Sequence, residues 1–408
     1  MTGPAGYSPD DPVVAQYDRW QYPPPVQDLR DPSLTAYLQS FGRLELLEPI
    51  YWPAGAPRRD LDVLVAGCGT MAAACYAMLN PHCRVVGIDI SKGALQHERR
   101  LKAHHQLDNL TLHECPIEQA ASLGLSFDFI ACQGVLHHMP DPTGGLRALG
   151  SVLRIDGVIA IMLYARYGRT GVYMLQEFFR ILGLGQDEEG VAIVRQTLAN
   201  LPPEHPARMY IQRATDLSQD AGLVDTFLHR RDQPFSVAQC LDLVSNAGLT
   251  FGRWDHNFFY YPEGPFHAAT ELCDRIAALP EEMIWQAMDV AYLPVGVHYF
   301  HVCRPDRDLA RYRIPWEDAS LLKCKPLISA KLLKAPGLPQ GWTLVQPGRP
   351  PLPVPQAHAA VFSHIDGRRT VGECLAAAGI RGESAAVLDV ARDMFRRAWR
   401  CGFAVLCW

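Results

Sequence analysis

The sequence predicts an α/β fold: a Rossmann-like, mostly parallel sheet of seven strands, with helical cap insertions and a small C-terminal winged-helix-like module. Three observations carry this. Residues 61–91, LDVLVAGCGTMAAACYAMLNPHCRVVGIDIS, read as a strand, a glycine turn, a helix, a second strand and an acidic residue at its end. Residues 127–163 repeat the alternation, from FDFIAC through a loop and an amphipathic stretch to VIAIML. Seven apolar strand-like runs are separated by helical or turn segments, as the crossovers of a parallel sheet require.

Taken in order, residues 1–12 (MTGPAGYSPDDP) have neither the basic nor the apolar region of a signal peptide and are expected to be disordered. Residues 13–31 are dense in aromatics, and Pro23, Pro24 and Pro25 forbid a long helix, so the segment reads as an extended arm. Its Tyr17, Trp20 and Tyr22 either pack on the core or line the mouth of a site. Helical spacing over 33–48 and the turn WPAGAPRRD complete an N-terminal region spanning 1–60. The strand at 63–66 is apolar throughout, as one buried on both faces must be. Gly67 and Gly69 follow at once; glycine there permits positive φ and lets a ligand lie against the main chain. Residues 70–79 lack Gly and Pro and form the crossover helix. The strand at 85–88 ends on Asp89, roughly 20 positions past the glycines, where a carboxylate accepts both hydroxyls of a ribose.

Ser91 is placed to cap a helix running to residue 105, and NLTLHECPIEQA holds the third strand. The strand at 127–132 leads through Gln133 and Gly134 into the loop His137-His138-Met139-Pro140-Asp141-Pro142. A turn at Asp156-Gly157 precedes a fifth strand at 158–163. Residues 166–246 are helical and too long for a loop, so they read as a cap over the carboxyl end of the sheet. A sixth strand falls within 248–262, with Phe258, Phe259, Tyr260 and Tyr261 on the apolar side of the sheet; a second amphipathic insert follows, and a seventh strand falls within 296–305. The main domain is thus 61–305. Residues 306–356 are proline-rich and read as an extended linker, and 357–408 as a compact helix-turn-helix-strand module.

At 408 residues the chain has length for two or three domains, and no run is apolar enough to cross a membrane. A net charge of −5 argues against binding nucleic acid through overall charge. The twelve cysteines form no CxxC pair, and Cys68, Cys75, Cys83, Cys115 and Cys132 fall inside core elements, as reduced thiols of a cytoplasmic protein do.

The nicotinamide fingerprint G-x-G-x-x-G would need a third glycine at Ala72. Instead GCGT followed by GIDIS, with GVLHHMPDP, YDRWQYP, MLYARYGRTGVY and DTFLHRRD, resembles a bacterial group of class I S-adenosylmethionine-dependent methyltransferases, over about residues 13–304. Some related proteins with added regulatory domains methylate protein lysines. The resemblance implies S-adenosyl-L-methionine as cofactor, held by Ala66, Gly67, Cys68, Gly69, Asp89, Ile90, Ile117, Gln133 and Gly134. Two departures stand out: Val65 occupies the place of the usual acidic residue two before the first glycine, and Met71 that of the usual third glycine. The run IDGRRTVGE is similar to small winged-helix peptide-binding modules, which implies a protein-contact role for the C-terminal end.

Methyl transfer from a sulfonium is an in-line displacement, and a protonated nucleophile needs a base near neutral pKa. His137 and His138 are the candidates for that base, with orientation of their loop as the structural alternative. Tyr164 and Tyr167 follow the fifth strand and are placed to bound the acceptor; Arg169 faces a ligand carboxylate or Asp141. In the cap, His229 and Asp232 suit substrate contact or a salt-bridge corner, and two residues at that spacing do not call for a metal. Tyr17, Tyr22, Tyr167, Arg169 and His229 are thus the substrate-side candidates. The expected acceptor is nitrogen, oxygen or sulfur of a small molecule or of a peptide or protein side chain, with neither nucleic acid nor membrane as partner. The alternative is an adaptor that keeps the fold without the chemistry and works through its C-terminal module.

Overall fold

The computed structural model describes residues 11–34, 42–266, 270–292, 296–334, 341–347, 349 and 351–408. Of the start expected to be disordered, residues 1–10 lie outside these, as do 35–41 of the expected helix at 33–48. The chain divides into two compact units.

The first unit comprises residues 1–44, 58–252 and 293–307 and is built on a seven-stranded sheet. Its strands are β1 (Asp62–Ala66), β2 (Arg84–Asp89), β3 (Leu110–Glu114), β4 (Phe127–Gln133), β5 (Leu153–Tyr164), β6 (Thr250–Trp254) and β7 (Val297–Cys303), in the order β3-β2-β1-β4-β5-β7-β6. β1 pairs in parallel with both β2 and β4, and β7 runs antiparallel to β5. The strand order therefore reverses between β1 and β4, and the crevice beyond their carboxyl ends is where such sheets receive ligands. β1 is buried throughout, as its unbroken apolar run requires. Its helix Ala72–Leu79 packs directly on β2, because Gly87 offers no Cβ to meet the Ala73 methyl. Cys68, Cys75, Cys83, Cys115 and Cys132 are all buried free thiols.

Three expectations for this unit are corrected. Asp156-Gly157 is not a turn: β5 already pairs Leu153 with Phe127 and, after a register shift, Val158 with Phe129, so the extra residues bulge within one long strand. β6 ends at Trp254, and Asn257–Tyr260 form a 3₁₀ turn, so Phe258, Phe259, Tyr260 and Tyr261 do not continue that strand. The arm opens as a helix, Pro12–Arg19, capped by the Asp11 carboxylate and preceding the prolines that stop it. The cap is helical, with Thr170–Ile181, Glu188–Asn200, Arg208–Arg213, Asp220–Phe227 and Val237–Asn246. Val172, Leu175, Phe179, Val194 and Phe227 form its own core, on which Trp20 of the arm packs.

The second unit takes residues 45–57, 253–292 and 308–408. The linker reading of 306–356 fails here. Its short strands β8 (Lys325–Ile328), β9 (Lys331–Lys334), β10 (Trp342–Val345) and β11 (Leu352–Val354) are structured, β9–β11 as an antiparallel sheet and β8 paired with the terminal β12 (Ala404–Cys407). Prolines shorten these strands without abolishing them. Helices Gln356–Phe362, Val371–Ala377 and Ala385–Arg400 close over Leu321, Leu344, Val361, Cys374, Phe395 and Phe403. The second insert, helices Thr270–Ala277 and Glu281–Ala291, belongs to this unit as well. No helix among the described residues is long and apolar enough to cross a membrane.

Within the sheet, His298 on β7 is fully buried and its Nε2–H donates to the Phe235 carbonyl at 3.1 Å. Burial brings its pKa down to about 4. A histidine depressed in the folded state binds its proton more readily when unfolded, so its stabilising share is complete above about pH 6.5 and is lost as pH falls toward 4. The difference in unfolding free energy between wild type and His298→Gln should therefore shrink below pH 6.5, by up to ~1.4 kcal/mol per pH unit. Urea unfolding at pH 7.0, 6.0 and 5.0 measures this; a difference constant with pH would contradict the burial.

Candidate active site

The turn after β1 is set by Gly67 and Gly69, with φ of +71° and +56°. A Cβ on Gly67 would sit 2.5 Å from Val135 Cγ2, so the chain after β4 presses directly on the turn. Asp89, at the end of β2, holds the turn from the other side. Its Oδ2 accepts from Gly69 N and its Oδ1 from Ser91 N, each at 2.8 Å. Each oxygen keeps further lone-pair capacity. Burial raises the carboxyl's pKa despite those amides. The arm is tied across the same place: Thr70 Oγ1 donates to Pro23 O, and Ser91 Oγ donates to Asp18 Oδ1, both at 2.7 Å.

Beyond the turn lies a continuous cavity of about 630 Å³. All nine residues expected to hold a cofactor line it: Ala66, Gly67, Cys68, Gly69, Asp89, Ile90, Ile117, Gln133 and Gly134. Tyr17, Tyr22, His138 and Tyr164 line it as well, together with Tyr210, Arg213, Asp216 and Asp225 from the cap. The remaining candidates stand elsewhere. Tyr167 is half-buried and outside the described wall. Arg169 is buried behind Tyr164, its guanidinium carbon 3.7 Å from that ring's centroid and its Nη1 donating to Tyr210 Oη at 2.8 Å. It does not pair with Asp141, which caps the helix Pro142–Ser151. His137 is fully buried against Tyr164 and His138, at ring distances of 4.0 and 4.2 Å. His229 lies behind His138, stacked at 3.8 Å.

The hydrogen bonds fix the tautomers. A carbonyl only accepts, so the 2.9 Å contact from His138 Nδ1 to Arg231 O places a hydrogen on Nδ1. His229 Nδ1 instead accepts from Arg231 N at 2.9 Å, so its Nε2 carries hydrogen and faces Tyr17 Oη at 3.2 Å. Tyr17 then donates to Asp225 Oδ1 at 3.1 Å, and Tyr164 to Asp225 Oδ2 at 3.2 Å. Tyr22 donates to Asp216 at 2.6 Å. Burial, and then the neighbouring Asp225, hold the Tyr17 and Tyr164 hydroxyls protonated. Burial likewise keeps His137 and His229 neutral and raises Asp225.

Among the described residues three groups are compact enough to hold a cation; Asp28–His104–His105 does not line the cavity, and the other two, His137–His138–Asp232 and His138–Asp225–His229, share His138. In the latter, both His229 nitrogens are engaged. In the former, Arg169 Nη2 stands 3.9 Å from Asp232, a fixed positive charge where a cation would bind. The donor sets suit a hydrogen-bonded network better than a metal. Asp225, Tyr210 and Asp216 escaped the sequence reading. Asp225 opens the motif DTFLHRRD and was within reach there; nothing in the periodicity of the cap distinguished the other two.

Comparison with known proteins adds the following. A family model described as a methyltransferase domain matches residues 57–201. An uncharacterized protein of Synechococcus sp. is 30% identical over 331 residues, covering 77% of this chain and 76% of the relative. A ubiquinone biosynthesis O-methyltransferase of Albidiferax ferrireducens is 33% identical, covering 25% of this chain and 40% of that protein. A tRNA 5-carboxymethoxyuridine methyltransferase of Escherichia coli is 29% identical, covering 38% and 58%. The chain thus spans less than two thirds of those two enzymes. PKMT2 from Rickettsia typhi, in complex with AdoHcy, shares the fold with a TM-score of 0.59 at 14% identity, covering 95% of this chain and 76% of that one.

Gly67→Ala should cost about 1–3 kcal/mol, combining the left-handed φ with the clash against the stiff Val135 side chain. Adding Val135→Ala should recover the steric part and leave the φ part. Denaturant unfolding of the two variants checks this, and a Gly67→Ala protein as stable as wild type would contradict the close approach.

Proposed function

We propose that this chain, which belongs to the class I S-adenosylmethionine-dependent methyltransferases, moves the cofactor's methyl group to nitrogen, oxygen or sulfur of an acceptor held under the helical cap. One observation carries the reading: a single cavity is lined both by the glycine turn with Asp89 and by His138, Tyr164 and Asp225. Its volume falls within the range of small-ligand pockets, roughly 300–1,000 Å³.

The residues fit the cofactor. Gly67 and Gly69 keep side chains away from the turn, and the spare lone pairs of Asp89 suit the two ribose hydroxyls. Ile117 offers apolar contact and backbone to a purine. Gln133 and Gly134 lie where the amino-acid end would pass. The bound cofactor supplies an electrophilic methyl carbon on a sulfonium. Everything else is the protein's task. His138 Nε2 takes the proton that the nucleophile loses, while the Nδ1–H bond to Arg231 O fixes the ring. Asp225 stabilises the resulting imidazolium. Tyr17 and Tyr22 bring the arm against the cap carboxylates and exclude water, which favours positioning over solvation.

The cap and arm supply one wall of the cavity, and its volume favours a small molecule or one extended side chain as acceptor. The ubiquinone and tRNA enzymes named above show how varied acceptors are among relatives, and the tRNA enzyme matches only 38% of this chain. Incubation with labelled S-adenosylmethionine and separate metabolite, peptide and RNA pools tests the choice. Label confined to RNA would overturn it.

Asp89→Ala should weaken S-adenosylmethionine binding by about 1–3 kcal/mol in isothermal titration, the loss of charge-assisted hydrogen bonds. Unchanged affinity would remove Asp89 from the ribose site. His138→Ala should lower kcat by roughly 10²–10⁴-fold with cofactor affinity kept; full turnover would eliminate it as the base.

A further inference from the structure

The helix Ala72–Leu79 begins without a cap of its own. Its N-cap residue is Met71, which has no side-chain oxygen, and the next three residues are Ala72, Ala73 and Ala74. Ala72 N reaches back to Cys68 O at 3.1 Å and Cys75 N bonds Met71 O at 2.9 Å, which leaves two amides to be satisfied from outside. Glu98, on the neighbouring helix Lys92–His105, supplies both acceptors. Its Oε1 accepts from Ala73 N at 2.8 Å and its Oε2 from Ala74 N at 3.0 Å, with no exposure to solvent. Thr70, the nearest hydroxyl in sequence, is turned to the arm and donates to Pro23 O.

A fully buried carboxylate is costly unless something requires it. Here it fixes the first turn of a helix whose preceding residues, Gly67 to Gly69, are the cofactor turn, and whose Ala72 lines the cavity. Val65 brings no carboxylate to this place from β1. We propose that Glu98 is a positioning residue for the cofactor: delivered from a different helix, it caps Ala72–Leu79 and holds the glycine turn in its binding shape. The inference rests on the methyltransferase reading.

The groups facing Glu98 are Asp89 from β2, Cys68 from the turn and Cys75 from the capped helix. Burial, opposed by the two amides, brings its carboxyl pKa up to about 8. When ionised, both oxygens are pure acceptors and the cap is complete; when protonated, one is compromised. Cofactor affinity should therefore tighten as pH rises through that value.

The test is titration calorimetry with S-adenosylhomocysteine at pH 7, 8 and 9 on wild type and Glu98→Gln, alongside kcat at saturating S-adenosylmethionine. The glutamine variant should bind at least tenfold more weakly at pH 9, the ratio of the two Kd values should grow from pH 7 to 9, and kcat should stay within about twofold. If the variant does not fold, wild type titrated with 5′-methylthioadenosine, which has no titrating α-amino group, should still bind more tightly at pH 9 than at pH 7. Equal affinity of both proteins at all three pH values, with only thermal stability reduced, would overturn the proposal, as would a flat wild-type profile with 5′-methylthioadenosine. If wild type binds neither ligand at any pH, the methyltransferase reading itself fails.

Discussion

The carboxylate of Asp89, bonded to the amides of Gly69 and Ser91, is the contact on which the site depends. It joins the turn after β1 to the start of the helix after β2 at the point where the strand order reverses. Two backbone amides offset part of its desolvation, and the oxygens still have capacity for a ligand. The arm reinforces the junction, since Asp18 bonds Ser91 and Pro23 bonds Thr70. The glycine turn is therefore held by short polar contacts among backbone, Asp89 and the arm.

A second aspartate, Asp225, gathers the arm, β5 and the cap in the same way. Asp225 takes hydroxyls from Tyr17 of the arm and Tyr164 of β5 while belonging to the cap itself. Three segments far apart in sequence are drawn onto one buried carboxylate. The opposite end of the sheet shows what a purely structural network looks like. There Arg154 bonds Asp62 and Asp128 at 2.6 and 2.5 Å, and Arg84 bonds Asp62 at 2.5 Å. Burial pushes Asp62 upward, but those guanidinium bonds outweigh it and its pKa falls. Asp225, whose donors are neutral tyrosines, goes the other way. The two ends of one sheet thus hold buried aspartates in opposite electrostatic settings.

Much of the first unit was legible in the sequence because its signals are local. Buried parallel strands are continuous apolar runs, Gly67 and Gly69 mark a turn needing positive φ, and Asp89 stands at a fixed distance beyond them. The nine residues expected around the turn all line one cavity. Legibility ended where pairing is long-range. His137 and His138 are adjacent in sequence and their rings touch, yet only His138 meets the cavity, because His137 is buried against Tyr164. Arg169 read as a ligand group and is instead a buried support for Tyr164. Residues 306–356 read as a linker because proline suppresses strand signals; β9, β10 and β11 pair with one another there, and only β8 finds its partner in the chain's last residues. Glu98 drew no reading from the sequence; only the fold brings its carboxylate under a helix that has no cap.

The account stands on one chamber serving both cofactor and acceptor. A crystal structure determined in the presence of S-adenosylhomocysteine tests it most directly. The account predicts the ribose on Asp89, the purine beside Ile117 and the thioether sulfur facing His138 and Tyr164. A ligand bound elsewhere, or no ligand density beside the glycine turn at saturating concentration, would contradict it.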